Sequence, residues 1–210
     1  MAKKHDIICF ESIDSTNEEC RRRISDIDNL SVVAALSQTS GKGQRGNVWL
    51  SEAGQNLTFS IVLKFPAKGL KAEMEPMLAY DQFVLSEITS LAIVDLLADF
   101  GIEAKIKWPN DIYVSGKKIC GILIENSLKG QGIDWTIIGI GLNVNQFNFP
   151  VNLPNPTSMR ICTQRKSPYS LTGLLGKFAD MFSECYNFCF SDEEELKKIH
   201  ELYLSKMWTR

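Results

Sequence analysis

The chain has 210 residues, with 23 Lys and Arg against 25 Asp and Glu, so its formal net charge is -2. Hydrophobic residues make up 44% and charged residues 23%, which is ordinary for a globular protein and argues against a disordered chain. This length predicts one domain of generous size, or one domain with a small appendage. The near balance of charges argues against a protein that binds nucleic acid through bulk positive charge.

Cysteine usage points to a reducing compartment. No two of the six cysteines form a CxxC pair and only two histidines are present, which argues against a zinc site. The polar N-terminus does not resemble a signal peptide, so a disulfide framework is not expected either. No window approaches 18 consecutive apolar residues, so we expect no transmembrane helix and a cytoplasmic protein that does not contact a membrane.

Short apolar segments alternate with polar ones in the first third of the chain. A capping box, fitted by Ser15 with Glu18 or by Thr16 with Glu19, predicts a helix that continues to about Arg23. The sequence further predicts strands at residues 7–10, 32–36 and 57–63, and a glycine-rich loop at residues 38–49.

The middle of the chain combines one long helix with several strands. Residues 75–100 are predicted to form a largely buried helix, because apolar residues recur at helical spacing and Gly101 follows them. Hairpin turns are predicted at residues 115–116 and 129–132. The predicted strands of this part are residues 104–108, 112–114, 119–125 and 135–140.

The C-terminal third begins with residues 147–168, which are rich in proline and predicted to be irregular. A second long helix is predicted for residues 171–190. A third helix is predicted to follow, capped by Ser191 and beginning with the acidic residues 192–195. Runs of strands separated by a few long helices predict an α+β domain with a substantially antiparallel sheet.

The loop after the second predicted strand could bind an anion. Gly41, Gly43 and Gly46 let the backbone approach a ligand closely, and Lys42 and Arg45 add two positive charges. The loop is not a Walker A motif, and a strand rather than a helix follows it. A flexible surface loop with incidental cations explains this segment equally well.

A second candidate site surrounds Asp111, the only acidic residue among four lysines between residues 104 and 118. The preceding Pro109 and Asn110 are typical of a turn, so solvated lysines at strand ends are one explanation. Alternatively, Lys107 and Lys118, on strands either side of Asp111, converge on one anionic ligand.

Two further segments have both an ordinary and a functional explanation. Gly139 and Gly141 weaken a strand unless a ligand or backbone passes close to them, although a bulge at a crowded position explains them too. The segment Ser15-Thr16-Asn17 is typical of an ordinary helix cap, but helix N-termini also bind anions.

Taken in order, five segments resemble the biotin–protein ligases, closely over about residues 10–145 and more loosely to the end. These are D-S-T-N at 14–17, Q-T-x-G-x-G-x-x-G-x-x-W at 38–49, K-W-P-N-D at 107–111, K-x-x-G-I-L-x-E at 118–125 and G-x-N-V-N at 141–145. The resemblance implies an α+β fold with a mixed, largely antiparallel sheet and helices mainly on one face, related to the cores of class II aminoacyl-tRNA synthetases.

The resemblance also implies an activity. Members of the family make biotinyl-5′-AMP from biotin and ATP, with Mg²⁺, and transfer biotin to one lysine of a biotin carboxyl carrier domain of a biotin-dependent carboxylase. Many of them form homodimers. Two alternatives stay open: a lipoate- or octanoyl-transferring relative of the same fold, and a biotin-binding remnant without turnover.

Particular residues acquire roles from the resemblance. Lys118 would bond the biotin carboxyl oxygen and the α-phosphate, and Lys107 would support the phosphates. Asn110 and Asp111 would position the adenylate, its magnesium or the incoming lysine. The ureido ring of biotin would be held by Ser15, Thr16, Asn17 and Gln38; the covering loop would comprise Gly41, Lys42, Gly43, Gln44, Arg45 and Gly46; Trp49 would stack on or close over the adenine; and Gly121, Gly141 and Asn143 would form a narrow floor.

The sequence departs from the family in two places. The family loop often reads Gly-Arg-Gly-Arg-x-Gly, whereas here Lys42 and Gln44 stand at the arginine positions and Arg45 follows. Either Arg45 reaches the phosphate instead, or the adenylate is held less tightly. We also expect a catalytic domain at 1–202, followed at 203–210 by the start of an SH3-like barrel that is missing or truncated. No DNA-binding domain is expected before it, and therefore no nucleic-acid partner.

Overall fold

The computed structural model describes residues 6–65, 82–130, 132–189 and 193–209. Its strands are β1 (Ile7–Ile13), β2 (Val32–Gln38), β3 (Leu57–Lys64), β4 (Lys105–Lys107), β5 (Asp111–Val114), β6 (Lys117–Lys129) and β7 (Gly132–Leu142). Its helices are α1 (Thr16–Arg22), α2 (Phe83–Ala98), α3 (Met159–Thr163), α4 (Leu171–Cys189) and α5 (Glu193–Ser205).

All seven strands belong to one sheet, in the order β1-β2-β3-β7-β6-β5-β4. Strands β1 and β2 are parallel and every other neighbouring pair is antiparallel. The prediction of a mixed, largely antiparallel sheet is therefore confirmed. The predicted turn at Ser115 and Gly116 joins β5 to β6, and both residues have the positive φ angles, 49° and 76°, of a tight hairpin turn.

The two faces of the sheet carry different layers. Alternate residues of β3 (Leu57, Phe59, Ile61 and Leu63) enter the main hydrophobic core, together with residues of α2, α4 and α5. Thr58 and Ser60, which alternate with them, lie on the opposite face, where α1 packs. The helices are therefore mainly on one face, as predicted, and the face that carries α1 keeps its centre free for a site.

Helix α2 is apolar nearly all round because it is enclosed on all sides. It contacts strands β4, β5 and β6 as well as helices α4 and α5. Leu85, Ile88 and Leu96 are fully buried along its length. A helix enclosed in this way has no solvent-facing stripe, which explains the absence of a polar face in its sequence.

Three predictions about the helices need comment. Residues 75–81 of the predicted long helix and the predicted cap at Ser191 lie outside the described residues. The prediction that residues 147–168 are irregular throughout is wrong, because α3 lies within them. Its start was encoded locally: Ser158 Oγ accepts a hydrogen bond from the backbone N–H of Ile161 at 3.3 Å, as an N-cap does.

The C-terminal segment packs on the same body as the rest of the chain. The expected domain boundary after residue 202 falls inside α5, and the buried Tyr203 meets Phe83 edge to face, with ring centroids 5.6 Å apart. Beyond α5 the backbone runs beside β4: Ile106 N donates to Lys206 O at 2.9 Å, and Trp208 N donates to Ile106 O at 2.8 Å. Residues 206–208 therefore extend the sheet at its β4 edge.

Ion pairs fix the outward side of α1. Arg22 bonds both oxygens of Asp14, at 2.8 and 2.7 Å, and bonds Glu19 at 2.6 Å, while Arg23 bonds the other oxygen of Glu19. The Arg22 guanidinium holds the pKa of Asp14 well below its usual range. Arg23 and Arg22 together lower the pKa of Glu19.

A second group of ion pairs joins α1 to the glycine-rich loop and to β6. Arg21 bonds Glu18 at 2.6 Å and Glu125 at 2.9 Å, and Lys42 of the loop also bonds Glu18. The hydrogen bonds from Lys42 and Arg21 lower the pKa of Glu18. Helix α1 is thus held against two other parts of the chain.

Acid should destabilise the protein through these carboxylates. In the folded protein their pKa values lie below the ordinary 3.8 of Asp and 4.5 of Glu. Their contribution to stability is therefore complete above about pH 5, and it is lost as the pH falls from the ordinary pKa values through the lowered ones. At pH 7, Glu19→Gln should lower the melting temperature by about 2–4 °C, the equivalent of ~1 kcal/mol. The difference from wild type should shrink below about pH 4, as measured by thermal melts across pH.

Glu103→Gln is the matched control, because Glu103 is exposed and lies outside these ion pairs. It should change the melting temperature by no more than about 1 °C. A Glu19→Gln deficit that persists unchanged into acid would contradict the assignment.

Candidate functional site

A cleft opens on the α1 face of the sheet, where β6 and β7 meet the start of α1 and the glycine-rich loop. It holds about 470 Å³ of empty space, open solvent included. Most of the residues predicted from sequence line it: Ser15, Thr16, Asn17, Gln38, Lys42, Gly43, Gln44, Trp49, Asn110, Lys118, Gly121 and Gly141. The fold therefore brings together segments that are more than a hundred residues apart.

One end of the cleft is polar and almost completely buried. The backbone N–H of Thr16 donates to Gln38 Oε1 at 2.8 Å. Ser60 Oγ, from β3, lies 2.7 Å from Thr16 Oγ1 and 2.6 Å from Asn17 Oδ1. Thr16 and Asn17 are each only 3% exposed, so this network is held away from bulk water. We call Ser15, Thr16, Asn17, Gln38 and Ser60 the polar end.

Asn17 lies directly against the backbone of β7. A Cβ atom at Gly139 would stand 2.3 Å from Asn17 Oδ1, so any side chain at this position would have to displace the Asn17 amide. Asn17 Nδ2 donates to Glu125 Oε2 at 2.7 Å, which fixes the orientation of the amide. Gly139 belongs to the glycine pair that the sequence made conspicuous, although no role was predicted for it.

Trp49 covers the middle of the cleft. A Cβ atom at Gly141 would lie 2.2 Å from Trp49 Cε2, and one at Gly121 would lie 3.0 Å from Trp49 Cζ3. The indole therefore rests on β6 and β7, where the sequence offered a bulge as the alternative. The ladder is regular there, since the register shift between β6 and β7 falls further along, between Ser127 and Leu128.

Lys118 stands at the other end of the cleft. Its Nζ is 2.6 Å from Asp111 Oδ1 and 5.6 Å from the centroid of the Trp49 ring, within cation–π range. Residues 111 and 118 are on neighbouring strands β5 and β6, and the Lys118 side chain is 30% exposed. The Lys118 ammonium is thus partly accessible, and its position is restricted by Asp111 and Trp49. Asn110 also lines the cleft.

The glycine-rich loop closes one side of the cleft with Lys42, Gly43 and Gln44. Its base is tied by hydrogen bonds from Gly43 N to Asn47 O at 2.7 Å and from Trp49 N to Gly41 O at 2.9 Å. The remaining predicted loop residues, Gly41, Arg45 and Gly46, do not line the cleft. They line a separate open groove together with Leu123 and Glu125.

Arg45 does not line the cleft. It is exposed and has a left-handed backbone, with φ of 56° and ψ of 37°. Gln44, not Arg45, faces the cleft. In this conformation, therefore, the charge that the cleft receives from the loop is that of Lys42, which is bonded to Glu18.

Lys107 lies on the same face but outside the cleft. In the sheet it pairs with Asp111, which pairs with Gly121, which pairs with Gly141, so the four residues form one row across β4, β5, β6 and β7. Its ammonium lies 4.7 Å from the Tyr113 ring centroid. Lys107 and Lys118 thus flank Asp111, as expected, but only Lys118 lines the cleft.

Asn143 is placed away from the cleft floor. It is 4% exposed, and its Nδ2 donates to Thr157 O at 2.9 Å, which ties β7 to the segment before α3. Sequence reasoning, for its part, gave no role to Ser60, Leu123, Glu125 or Gly139. Sequence signals were available for three of these residues: Leu123 and Glu125 belong to the K-x-x-G-I-L-x-E segment, and Gly139 is the first glycine of the pair.

No protein-built metal centre accompanies the cleft within the described residues, since no three His, Cys, Asp or Glu side chains there are grouped to hold an ion. The described helices also include none long and apolar enough to cross a membrane. The cleft offers polar contacts at one end, an aromatic cover in the middle and an ammonium at the other end.

Comparison with known proteins agrees with this geometry. The chain is 36% identical to the biotin--[acetyl-CoA-carboxylase] ligase of Paracoccus denitrificans over 134 residues, which is 62% of the chain and 51% of that protein. It is also 36% identical to the bifunctional ligase/repressor BirA of Bacillus spizizenii over 116 residues, 55% of the chain and 33% of that protein. The chain thus spans between one third and about one half of these relatives.

A solved structure is similar over nearly the whole chain. The biotin protein ligase from Aquifex aeolicus in complex with biotin and ATP superposes with a TM-score of 0.77 and 28% identity, covering 96% of this chain and 78% of that one. The sequence model of the biotin/lipoate A/B protein ligase family matches residues 9–143, which hold the polar end, the loop, Lys118 and the glycine floor. The chain therefore belongs to the biotin/lipoate A/B protein ligase family.

Proposed function

We propose that this chain is a biotin–protein ligase: it makes biotinyl-5′-AMP from biotin and ATP and transfers biotin to a lysine of a biotin carboxyl carrier domain. The observation that carries the proposal is the order of groups along one cleft. A buried polar end, an aromatic cover and the Lys118 ammonium follow one another as the ureido ring, the apolar body and the carboxylate do in biotin.

The polar end favours biotin over other acyl substrates of the family. A ureido ring has a carbonyl acceptor and two N–H donors, and the polar end supplies both donors and acceptors in hydroxyl and amide groups. Burying such groups is costly unless each finds a partner. A dithiolane ring, as in lipoate, offers them no comparable partner, so Thr16 and Asn17 argue for biotin.

The cationic end suits the first chemical step. A biotin carboxylate must attack the α-phosphate, so two anions have to be brought together, and positive charge fixed beforehand lowers the cost of that approach. Lys118 is held by Asp111 and Trp49 at the end of the cleft where the carboxylate would lie. Positioning of the two substrates supplies the rest of the acceleration.

No covalent enzyme intermediate is needed. Two cysteines lie near the strands of the cleft, but burial raises the pKa of the Cys120 thiol far above neutrality and that of Cys20 to about 12. Such thiols stay protonated at neutral pH and are poor nucleophiles. This supports direct attack by the carboxylate, and later by the carrier lysine, on the bound substrate.

Magnesium is included in the proposal as a companion of the nucleotide. Mg²⁺ in such sites is usually held by one or two carboxylates together with substrate phosphates. Asp111 is the carboxylate available beside Lys118, and its Oδ1 is already engaged by that lysine. The side chains therefore fit an ion that arrives with ATP and takes one carboxylate oxygen, the chemistry supplied being neutralisation of phosphate charge.

The proposal extends to setting and partners. Cys9, Cys20, Cys120, Cys162 and Cys185 are free thiols, which supports a reducing, cytoplasmic setting. We propose a homodimer formed through sheet edges, since β1 has a strand neighbour on one side only among the described residues. The carrier domain is the expected protein partner.

Lys118→Ala should abolish formation of biotinyl-5′-AMP. Removing a preorganised charge of this kind costs about 100- to 1,000-fold in rate. Biotin-dependent release of pyrophosphate from ATP measures the first step without a carrier. Lys117→Ala is the matched control, because Lys117 is the exposed neighbour on the same strand, and it should stay within about twofold of wild type. Full adenylate synthesis by Lys118→Ala would refute the role given to this lysine.

Arg45→Ala should act on retention of the adenylate rather than on its synthesis. Arg45 is exposed outside the cleft, so its loss removes at most a contact formed when the loop closes. We expect pyrophosphate release to fall by no more than about tenfold, while more biotinyl-5′-AMP escapes into solution, measured by filtration. A defect as deep as that of Lys118→Ala would place Arg45 in the chemical step instead.

Biotin and lipoate separate the proposal from its nearest alternative. Each is added with ATP at the same concentration, about 100 times the dissociation constant for biotin, where a bound ligand raises the melting temperature by roughly 5–10 °C. We expect the increase with biotin and none with lipoate; the reverse would establish a lipoate-type enzyme. Transfer of labelled biotin to a purified carrier domain then distinguishes a ligase from a binding protein without turnover.

Gly139→Ala should impair biotin binding selectively. The new methyl group would displace the Asn17 amide, which can move because it ends a side chain. The protein should therefore still fold, but the hydrogen bonds of the polar end should be disrupted. We expect the KM for biotin to rise about tenfold or more, with the KM for ATP nearly unchanged. Gly176→Ala is the control, since a Cβ there meets no atom within 4 Å. Equal effects on both KM values would contradict this reading.

A further inference from the structure

The ammonium of Lys107 is held by two aromatic rings that come from distant parts of the chain. Its Nζ lies 4.7 Å from the ring centroid of Tyr113 and 5.3 Å from that of Trp208. It also bonds the Tyr113 hydroxyl at 3.3 Å. The two rings are stacked, with centroids 5.2 Å apart and planes inclined by 17°. Tyr113 belongs to β5, whereas Trp208 belongs to the segment that follows α5.

Lys107 occupies a defined place relative to the cleft. It is the first member of the cross-strand row that continues through Asp111 and Gly121 to Gly141. Strands in a sheet are about 4.8 Å apart, so Lys107 lies roughly 10 Å from Gly121 along this row, beyond Asp111. A ligand that lies on the glycine floor and extends past Lys118 therefore points toward Lys107.

An unsupported lysine would be poorly suited to that place. Its side chain has four rotatable bonds, and ordering them on binding costs conformational entropy. Two rings at cation–π distance and one hydrogen bond restrict Nζ in advance. An ammonium has three donors and the hydroxyl engages one of them, so the head group can still donate to an anion.

The ring from Trp208 is itself fixed by the sheet. Trp208 N donates to Ile106 O, and Ile106 N donates to Lys206 O. The backbone beside β4 thus sets where the indole stands, and the indole limits where the neighbouring Lys107 ammonium can go. Met207 packs against the main core in the same segment, which anchors it further.

We propose that Trp208 and Tyr113 are positioning residues, which hold Lys107 ready for the outer phosphates of the nucleotide, the part that leaves as pyrophosphate. The inference rests on the proposed function for the identity of the nucleotide. Changes in the segment after α5 should therefore alter the KM for ATP and leave the KM for biotin unchanged, because the polar end is at the opposite side of the cleft.

Steady-state kinetics with biotin-dependent pyrophosphate release test the assignment. Trp208→Ala should raise the KM for ATP by about 3- to 30-fold, the range expected for loss of a cation–π contact, with the KM for biotin unchanged. Trp208→Phe keeps a ring face and should restore most of the wild-type value. Tyr113→Phe removes the hydroxyl alone and should give a smaller increase than Trp208→Ala.

A double-mutant cycle separates positioning from simple support of the fold. In the Lys107→Met background no ammonium remains to be positioned, so adding Trp208→Ala should raise the KM for ATP no further. If the effects of the two substitutions multiply, or if Trp208→Ala raises both KM values alike, the indole acts only through the fold and the proposal is overturned.

A titration with inorganic pyrophosphate tests the same idea without turnover. Measured by calorimetry at low ionic strength, the dissociation constant should increase for Trp208→Ala, should increase at least as much for Lys107→Met, and should be no higher in the double variant than in Lys107→Met. An unchanged dissociation constant in Trp208→Ala beside a weakened one in Lys107→Met overturns the inference. Absence of biotin-dependent pyrophosphate release in the wild type would instead refute the proposed function, and the titration would still decide the role of Trp208.

Discussion

The bare backbone on one face of β7 is the constraint on which the cleft depends. At Gly139 and Gly141 two side chains from elsewhere, Asn17 and Trp49, rest where Cβ atoms would otherwise stand. β7 is also the centre of the sheet, between β3 and β6, so a change there reaches both neighbours. The cleft therefore lies directly on the sheet, with its walls supplied by α1 and the glycine-rich loop.

The two ends of the cleft differ in how their charges are paired. Around α1, acidic and basic side chains pair with one another, which fixes the polar end and joins it to Glu125 and Lys42. Around Asp111, two lysines stand on either side of one carboxylate, so this end keeps a surplus of positive charge. A net charge of -2 for the whole chain therefore coexists with a local cationic region suited to a nucleotide and a carboxylate.

Much of this could be predicted from sequence, and the exceptions have physical causes. Short apolar and β-branched runs bounded by polar or turn residues located all seven strands, because such composition is a local signal. Helix α3 was missed since the surrounding prolines outweighed the Ser158 cap. Lys107 was correctly placed beside Asp111, but its contact with Trp208 joins residues a hundred positions apart. Glu125 and Ser60 were not predicted as site residues for the same reason. Their contacts with α1 depend on the order of the strands in the sheet, which cannot be read from a local sequence pattern.

The sheet order also has a consequence for how the chain reaches its native state. β7 is the last of the described strands to leave the ribosome, yet it fills the gap between β3 and β6 and pairs Leu57 with Leu142. The earlier strands cannot form a continuous sheet until it arrives, so β3 and β6 keep open edges during synthesis. Such long-range closure slows folding and exposes strand edges to aggregation. Closure of the sheet thus depends on the same strand whose glycines make the cleft.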